Sequence, residues 1–314
     1  MMEDGESALV RMLDKKVFNG YRVLARIGTG AASELYAVQD VRTKQVWALK
    51  HVIKHTEKDA RFLEQVQAEY AIGCKLDHEN IRHVHRLIKH RKMFKLHAIS
   101  LVMELVDAQT LDQRLPKDLR HAVKIFTQVA AGLAHMHGRG YVHADIKPSN
   151  ILVTDQDVVK IIDLGQCCAI GTVKKRIQGT PGYMAPEQAH RQAITPQTDI
   201  YNLGAAMYWV LVGEVIPTAL PPQDDQANSL YSGALDAGMV KPPIPPHERN
   251  PSIHPLLSQQ ILDCVQVHPH ERPESMQVVV DRLEMIGSVL EVPTSANGGS
   301  GGSTGDDGTA TGAA

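Results

Sequence analysis

Three oxygen-bearing side chains lie close together in a short stretch near the middle of the chain. Asp145, Asn150 and Asp163 all fall within nineteen residues. Mg²⁺ prefers hard oxygen ligands, and it usually takes one or two of them from protein and the rest from water and phosphate. A carboxylate, an amide and a second carboxylate therefore suit a site for a magnesium-bound phosphate group.

Two short apolar runs, ILV and VVKII, separate these side chains and predict how they meet. The runs indicate buried strands, and the polar residues 155–157 between them indicate a tight turn. Asp145 and Asn150 precede the first strand, and Asp163 follows the second. A hairpin of this kind would bring all three side chains to one edge.

The composition describes a globular chain without a strong charge. Of the 314 residues, 43% are hydrophobic and only 4% are aromatic, so we expect an aliphatic core; the formal net charge is −2. A charge this small gives no electrostatic footprint for nucleic acid or an anionic membrane, and we expect neither as a partner. No apolar run approaches the roughly 20 residues that span a bilayer, so no membrane span is expected.

The cysteines and the first residues favour the cytoplasm. The four cysteines show no metal-ligand spacing, and a reducing compartment is the simpler interpretation; they are Cys74, Cys167, Cys168 and Cys264. The opening residues MMEDGESALV contain no basic region followed by an apolar one, so a secretory signal is not expected. We therefore expect a soluble, cytoplasmic protein.

The first third of the chain has strand character with one helix. Apolar and polar residues alternate in three stretches separated by turn residues, as in an antiparallel meander. Over about residues 56–76, apolar residues recur every three or four positions, which predicts a helix. Strand character returns over residues 81–103. We predict a lead-in over residues 1–18 and a β-rich unit over residues 19–104.

The rest of the chain has a helical pattern. Apolar stripes predict helices over about residues 119–138, 195–213, 258–267 and 274–290. Together they predict a helical unit over residues 107–290. The Gly/Ser/Thr-rich tail over residues 291–314 cannot bury enough apolar surface to offset the cost of ordering, so we expect it to be disordered.

Residues 28–33, GTGAAS, lie between two predicted strands. Glycines at such a turn let backbone amides approach phosphate oxygens without a Cβ in the way. A hairpin turn that binds nothing is an equally good interpretation of these residues taken alone. A dinucleotide fingerprint is excluded, because a strand rather than a helix follows the glycines.

Lys50 ends the run WALK on the third predicted strand, among apolar neighbours. A lysine at a strand end is usually solvated, but an ammonium in these surroundings needs a partner. Glu69 in the following helix is available. Such a pair could hold the lysine against nucleotide phosphates.

Asp145 and Lys147 belong to the stretch HADIKPSN. An aspartate near a hydroxyl group can accept its proton as a phosphoryl group is transferred, and a lysine can neutralise charge on that group. Each residue alone could equally cap a loop. Their order and spacing, with Asn150 and Asp163 following, favour the catalytic interpretation.

These motifs, in this order, resemble those of the eukaryotic-type (Hanks-type) Ser/Thr protein kinases, including bacterial members. The resemblance covers about residues 20–288 and includes GTGAAS, WALK, HADIKPSN, DLG and GTPGYMAPE. It implies an α+β, bilobal protein-kinase-like fold within a domain over residues 19–290. The N-lobe, residues 19–104, would be small, antiparallel and β-rich with one main helix. The C-lobe, residues 107–290, would be larger and mostly helical.

The resemblance also implies an activity, which is transfer of the γ-phosphoryl group of ATP to Ser or Thr of a protein substrate. The implied catalytic residues are Asp145 as the base, Lys147, Lys50 and Glu69. The implied ligands of Mg²⁺, with Mn²⁺ as an alternative, are Asn150 and Asp163. The residues implied around ATP are Gly28, Thr29, Gly30, Ala31, Ala32, Ser33, Leu35, Ala48, Lys50, Met103, Glu104, Val106 and Leu152.

Three further positions resemble fixed points of the family. Asp199 resembles the buried aspartate that organises the catalytic loop. Arg272 resembles the arginine that pairs with Glu187. Thr180, together with Lys147, favours Ser/Thr over Tyr acceptors.

Departures from the family pattern concern regulation more than chemistry. Ala144 stands where the family has the arginine that reads a phosphate on the activation loop, so we expect activity not to require that phosphate. Leu164 replaces the usual phenylalanine and is still able to pack. Gly73 stands where a large apolar residue is usual, so we expect a missing contact under the helix unless Ile72 compensates. Ser33 replaces the third glycine, which is a mild change.

Other interpretations stay open at this point. A non-catalytic scaffold is favoured mildly by Ala144 and Gly73, and a small-molecule phosphotransferase would share the metal and lysine motifs. The motif GTPGYMAPE argues against the second, because it resembles a segment that positions peptides. The seven histidines between residues 51 and 97 favour a solvated surface over a metal site, and Cys167 and Cys168 favour packing over redox sensing.

Overall fold

A computed structural model describes residues 17–30, 32–217 and 240–291. Most of the predicted lead-in and nearly all of the predicted tail lie outside these ranges, and so does Ala31 of the glycine-rich stretch. In the described ranges, no helix is both long and apolar enough to cross a membrane.

The N-lobe is a five-stranded antiparallel sheet with one long helix, as predicted. The strands follow the order β1-β2-β3-β5-β4 across the sheet. They are β1 (Tyr21–Gly30), β2 (Ser33–Asp40), β3 (Val46–Ile53), β4 (Val84–Lys92) and β5 (Lys95–Glu104). Helix α1 (Ala60–Gly73) packs on one face of the sheet.

Helix α1 follows the three-to-four residue apolar period of its sequence. Its residues Leu63 and Val66 are buried in a core cluster with Ala48 and Met103 of the sheet. A short 3-10 turn precedes the helix, and there the Asp59 carboxylate accepts a hydrogen bond of 2.7 Å from the backbone N–H of Thr56. The packing fixes the helix against strands β3 and β5, and therefore fixes Glu69 relative to Lys50.

The C-lobe is mainly helical and contains the largest core cluster of the described residues. Its helices are α2 (Leu119–Gly138), α3 (Pro186–Ala189), α4 (Pro196–Val212), α5 (Pro246–Arg249), α6 (Pro255–Cys264) and α7 (Met276–Glu291). Asp118 caps the start of α2 by accepting a hydrogen bond of 2.8 Å from the backbone N–H of His121. Helices α2 and α4 supply the buried apolar surface beneath the segment that carries Asp145.

Short strands also occur in the C-lobe, and two of them form the predicted hairpin. The short strands are β6 (Gln109–Thr110), β7 (Tyr141–Val142), β8 (Ile151–Val153), β9 (Val159–Ile161), β10 (Cys168–Ala169), β11 (Thr172–Val173) and β12 (Ala193–Ile194). Strands β8 and β9 pair antiparallel, with Ile151 opposite Ile161. Their turn includes Asp157 at a positive φ of 60°. The polar residues on both sides of the hairpin therefore meet at one edge.

Candidate active site

The hairpin brings Asp145, Asn150 and Asp163 to the same side of the C-lobe. The side-chain amide of Asn150 donates to the backbone oxygen of Asp145 at 2.9 Å and to its carboxylate at 3.4 Å. Asp163 has a positive φ of 62° and keeps 42% of its side chain exposed. A left-handed backbone at a non-glycine residue costs on the order of 1–3 kcal/mol and tends to occur at functional sites.

Lys50 joins this edge from the N-lobe. Its Nζ lies 2.8 Å from Glu69 Oε2 and 3.5 Å from Asp163 Oδ1. Burial alone would lower the pKa of Lys50, but the carboxylates of Glu69 and Asp163 outweigh burial and raise it. Burial alone would raise the pKa of Asp163, but Lys50 and its other neighbours bring it below its ordinary value. The two groups therefore stay charged in the cleft at neutral pH.

Arg82 is a second cation in this cleft, and no sequence motif singled it out. Its electrostatic neighbours are the carboxylates of Glu69, Asp163 and Glu104. Burial lowers the pKa of the Arg82 guanidinium, although an arginine remains charged at any ordinary pH. Within the described ranges its side chain makes no hydrogen bond or ion pair. A charged side chain between Ile81 and His83 is the only signal that the sequence offers for it.

The glycine-rich stretch forms the ends of strands β1 and β2. Gly28 pairs with Leu35, and Gly30 pairs with Ser33. A Cβ on Gly30 would lie 2.7 Å from the Ser33 hydroxyl oxygen, so the two strands approach closely here. The adjoining residues Thr29 and Ala32 are exposed and half-buried, respectively.

The predicted adenine wall lies behind this hairpin. Ala48 stands opposite Met103 on paired strands, and both are buried. Glu104 follows Met103. Its carboxylate accepts a hydrogen bond from Lys160, whose Nζ lies 2.8 Å from Glu104 Oε1. The other three predicted adenine contacts are half-buried; they are Leu35, Val106 and Leu152.

The packing under helix α1 differs from what the sequence predicted. No contact is missing at Gly73, because Val84 fills the space. A Cβ added to Gly73 would lie 2.5 Å from Cγ2 of Val84. Leu164, which is buried as predicted, approaches the same point at 3.4 Å. Ile72 packs in the core of the C-lobe. Glycine lets the helix sit directly on its neighbours.

Asp145 is part of a three-residue hydrogen-bond network. The Thr180 hydroxyl donates to Asp145 Oδ1 at 2.9 Å, and Lys147 Nζ donates to the Thr180 oxygen at 2.8 Å. Lys147 Nζ also lies 3.5 Å from Asp145 Oδ2. The network joins the loop of Asp145 to the GTPGYMAPE segment and places an ammonium beside the carboxylate.

The backbone around Asp145 is held from below by Asp199 on helix α4. The Asp199 carboxylate is fully buried and accepts hydrogen bonds of 2.8 Å from the backbone N–H groups of His143 and Ala144. His137 Nε2 donates to the same carboxylate at 2.9 Å. Ala144 has a positive φ of 61°, which this double anchor stabilises.

Glu187 and Arg272 form the pair that the sequence predicted. Both nitrogens at the end of the guanidinium bind the carboxylate, at 2.8 and 2.9 Å. Their side chains are 3% and 0% exposed. The pair fixes the end of the GTPGYMAPE segment to the base of the C-lobe.

The predicted metal ligands fit a hard divalent cation. The side-chain nitrogen of Asn150 donates its hydrogen bond to Asp145. No protein donor among the described residues binds the side-chain oxygen of Asn150. Asp163 presents an exposed, charged carboxylate to the cleft. An amide oxygen and a carboxylate of this kind are the oxygen ligands that Mg²⁺ takes from a protein when phosphate and water complete its shell.

Some of the histidines and cysteines outside this edge pack against their neighbours. His51, which we expected on a solvated surface, is only 5% exposed. His51 Nδ1 and His90 Nε2 lie 2.7 and 2.9 Å from the Ser100 hydroxyl oxygen, and the ring of His85 stacks on another aromatic ring. Burial raises the pKa of the Cys167 thiol well above its ordinary value, which disfavours a reactive thiolate.

Comparison with known proteins agrees with this arrangement. The protein kinase domain model matches residues 21–283. A probable serine/threonine-protein kinase of Clostridium acetobutylicum is 27% identical over 88% of this chain and 41% of its own length. The kinase pkn3 of Myxococcus xanthus is 30% identical over 87% of this chain and 51% of its own length. PknA of Mycobacterium tuberculosis is 33% identical over 62% of this chain and 47% of its own length.

The chain thus spans about half, or less, of the length of these relatives. The matched region includes both lobes and every motif at the cleft. The two-lobed fold, the cleft between a sheet and a helical unit, and the family match agree: the chain belongs to the protein kinase domain family.

Proposed function

We propose that this chain is a Ser/Thr protein kinase that transfers the γ-phosphoryl group of ATP to a hydroxyl of a protein. The observation that carries the proposal is the network of Asp145, Lys147 and Thr180 at the edge of the cleft. Nearby, Lys50 is paired with Glu69 and approaches Asp163. The names of the relatives, all Ser/Thr kinases, support the same acceptor class.

In this proposal each residue has a role set by its surroundings. Lys50 holds phosphate oxygens while Glu69 fixes its position. Asp145 orients the acceptor hydroxyl and takes its proton. Lys147 neutralises charge on the group being transferred, and Thr180 keeps Asp145 and Lys147 aligned.

Nucleotide and metal would occupy the cleft around these residues. The glycine-rich stretch from Gly28 to Ser33 would cover the phosphates. Ala48, Leu35 and Leu152 would sandwich the adenine ring, with Met103 behind it. The backbone at Glu104 and Val106 would be its hydrogen-bonding edge. Asn150 and Asp163 would hold Mg²⁺ or Mn²⁺, which neutralises charge on the phosphate oxygens during transfer.

The test compares the wild-type protein with Asp145→Asn in phosphate transfer from labelled ATP with Mg²⁺ to a generic basic protein substrate. Loss of the base should lower turnover by roughly 10²- to 10⁴-fold. The isosteric amide keeps the side-chain shape, so nucleotide binding should persist. Turnover of Asp145→Asn within tenfold of the wild-type value would show that Asp145 is not the base. If the wild-type protein itself transfers no phosphate, the alternative of a non-catalytic scaffold protein is favoured.

We further propose that activity does not depend on phosphorylation of the activation loop. Ala144 occupies the position at which the family places its phosphate-reading arginine. Between Asp163 and Glu187, the only Ser or Thr residues are Thr172 and Thr180, and Thr180 is bound to Asp145. Thr172 already donates to the backbone oxygen of Ala169.

The variant Thr172→Ala tests this second proposal. We expect turnover within about twofold of the wild-type value, because a hydroxyl on a backbone carbonyl contributes only about 0.5–1.5 kcal/mol to local stability. Treatment of the wild-type protein with a phosphatase should likewise leave turnover unchanged. Loss of turnover in Thr172→Ala, or after the phosphatase, contradicts the proposal.

We also propose that the kinase domain occupies residues 19–290 and acts in the cytoplasm on a protein partner. The family match over residues 21–283 supports the boundaries. The four cysteines are free in the structure, which agrees with a reducing compartment.

A further inference from the structure

Gln188, the residue after the GTPGYMAPE segment, is buried with a carboxamide that is fully used. Its side-chain nitrogen donates to the backbone oxygens of Ala144 at 2.8 Å and Gln178 at 3.3 Å. Its side-chain oxygen accepts from the backbone N–H of Ala185 at 2.9 Å and from the amide of Asn202 at 3.0 Å. A carboxamide has two donor hydrogens and two acceptor lone pairs, so all four are satisfied.

The four partners belong to different parts of the C-lobe. Ala144 is in the loop of Asp145, Gln178 lies before Thr180, and Asn202 is on helix α4. Asn202 also donates to the backbone oxygen of Tyr183 at 2.7 Å. Gln188 therefore links the catalytic loop, the activation segment and the buried helix through one side chain that is 4% exposed.

The contact between Gln188 and Ala144 is important because Ala144 directly precedes Asp145. The N–H of Ala144 is bound by Asp199 and its carbonyl is bound by Gln188. Both sides of the residue that precedes Asp145 are thereby fixed in a left-handed conformation. The second acceptor of the Gln188 amide, Gln178, is two residues before Thr180, whose hydroxyl donates a hydrogen bond to Asp145.

We propose that Gln188 is a positioning residue that clamps the activation segment onto the catalytic loop without a phosphate. The inference rests on the proposed kinase activity and deepens its regulation. The family arginine replaced by Ala144 would join the same two segments through a phosphate on the loop. Here an uncharged amide, held at both ends, joins them permanently.

Two variants remove the clamp in different ways. Gln188→Met keeps the length of the side chain and removes all four hydrogen bonds. Gln188→Glu places a carboxylate oxygen against two carbonyl oxygens. Gln192→Glu is the matched control, since it introduces the same charge four residues away on an exposed side chain.

After phosphatase treatment, both Gln188 variants should lose at least about tenfold in kcat, because misplacing reacting groups by a fraction of an ångström is costly. Their affinity for ADP should change less than twofold, because Lys50, Glu69 and Asp163 lie outside the clamp. The Gln192→Glu control should match the wild-type protein. A kcat within twofold of the wild-type value in both Gln188 variants, or equal losses in kcat and ADP binding, overturns the proposal.

The pH profile separates positioning from a general loss of structure. A buried glutamate has a raised pKa, and its protonated form regains one donor hydrogen. We normalise kcat to the concentration of protein that binds ADP. The ratio of this kcat in Gln188→Glu to that in the wild-type protein should therefore rise as the pH is lowered. The same ratio for Gln188→Met should stay flat. A flat ratio for both variants contradicts the clamp.

Hydrogen exchange gives a readout that needs no turnover. Peptides that cover residues 166–185 should exchange faster in both Gln188 variants than in the wild-type protein. Unchanged exchange overturns the clamp. If the Gln188 variants exchange faster but the wild-type protein transfers no phosphate, the clamp is supported and the proposed kinase activity is rejected.

Discussion

Each lobe contains a pair of a cation and a buried glutamate, and these two pairs are built differently. In the N-lobe, Lys50 meets Glu69 through one contact of 2.8 Å, and 19% of the lysine side chain is exposed. In the C-lobe, Arg272 meets Glu187 through two contacts, and its side chain is fully buried. The first pair faces the cleft, and the second is closed on all sides.

The surroundings explain the difference. The Arg272 guanidinium also donates to three backbone oxygens and lies 4.9 Å from the centre of the Tyr201 ring. Thr198 donates to the Glu187 carboxylate at 2.9 Å. Lys50, by contrast, has a second carboxylate at 3.5 Å and a side chain that remains partly exposed. The Arg272–Glu187 pair holds parts of the C-lobe together. The Lys50–Glu69 pair leaves part of its charge exposed to the cleft, as the proposed contact with nucleotide phosphates requires.

The largest effect is expected on stability from Arg272→Met. Removing one partner leaves Glu187 as an uncompensated buried charge, which costs about 3–5 kcal/mol. Chemical denaturation should show this loss, together with weaker ADP binding from partial unfolding. The control Arg249→Met breaks an exposed pair with Glu214 and should cost less than about 1 kcal/mol. Equal costs for the two variants would refute the distinction between the pairs.

The second effect is expected on turnover from Lys50→Met. Loss of a preorganised charge at the phosphates should lower kcat by about 10²- to 10³-fold. The stability cost should be smaller than for Arg272→Met, because Arg82 lies near Glu69 and offsets its charge. The matched control is Lys54→Met, which breaks a pair with the exposed Glu57. Retained phosphate transfer in Lys50→Met would contradict the role of Lys50.

The third effect concerns how tightly the N-lobe pair is held. Gly73→Ala places a methyl group 2.5 Å from Val84 Cγ2, and overpacking of this kind costs about 1–3 kcal/mol. Alanine otherwise favours a helix, so Gly138→Ala, which meets open space, should be neutral or stabilising. Adding Val84→Ala to Gly73→Ala should recover part of the loss. Denaturation curves of the variants test all three statements, and a stabilised Gly73→Ala would show that the helix has room to move.

The fourth effect, which is small near neutral pH, is a pH dependence located in the N-lobe sheet. Burial lowers the pKa of His51 to about 3 from an ordinary value of 6.5, and the neighbouring His90 and His97 act in the same direction. Below pH 6.5 the unfolded state binds a proton that the folded state refuses, so stability falls as the pH is lowered towards 3. The slope is at most about 1.4 kcal/mol per pH unit. His51→Gln should flatten this slope in denaturation measurements, and an unchanged slope would exclude His51 as its source.

Local signals predicted the fold well. The apolar period gave helix α2 over nearly its whole length, and the turn residues at 155–157 gave the β8–β9 hairpin. The pairing of Lys50 with Glu69 was also predicted, because a lysine among apolar residues needs a partner and Glu69 lies in the following helix. The resemblance to protein kinases implied the pairing of Glu187 with Arg272. Contacts that no motif describes were missed. Val84 fills the space at Gly73, and nothing in the local sequence indicates it.

The sequence by itself determined which chemical groups the protein has and in what order they stand. Aspartates, an asparagine and a lysine at these spacings favour chemistry on a phosphate group with a hard metal ion. Tertiary structure alone decided how those groups are held. Gln188 meets Ala144 across 44 positions of chain, and Arg82 reaches the cleft from the edge of β4. Such contacts depend on how lobes, helices and loops pack, and residue type and spacing do not specify that packing.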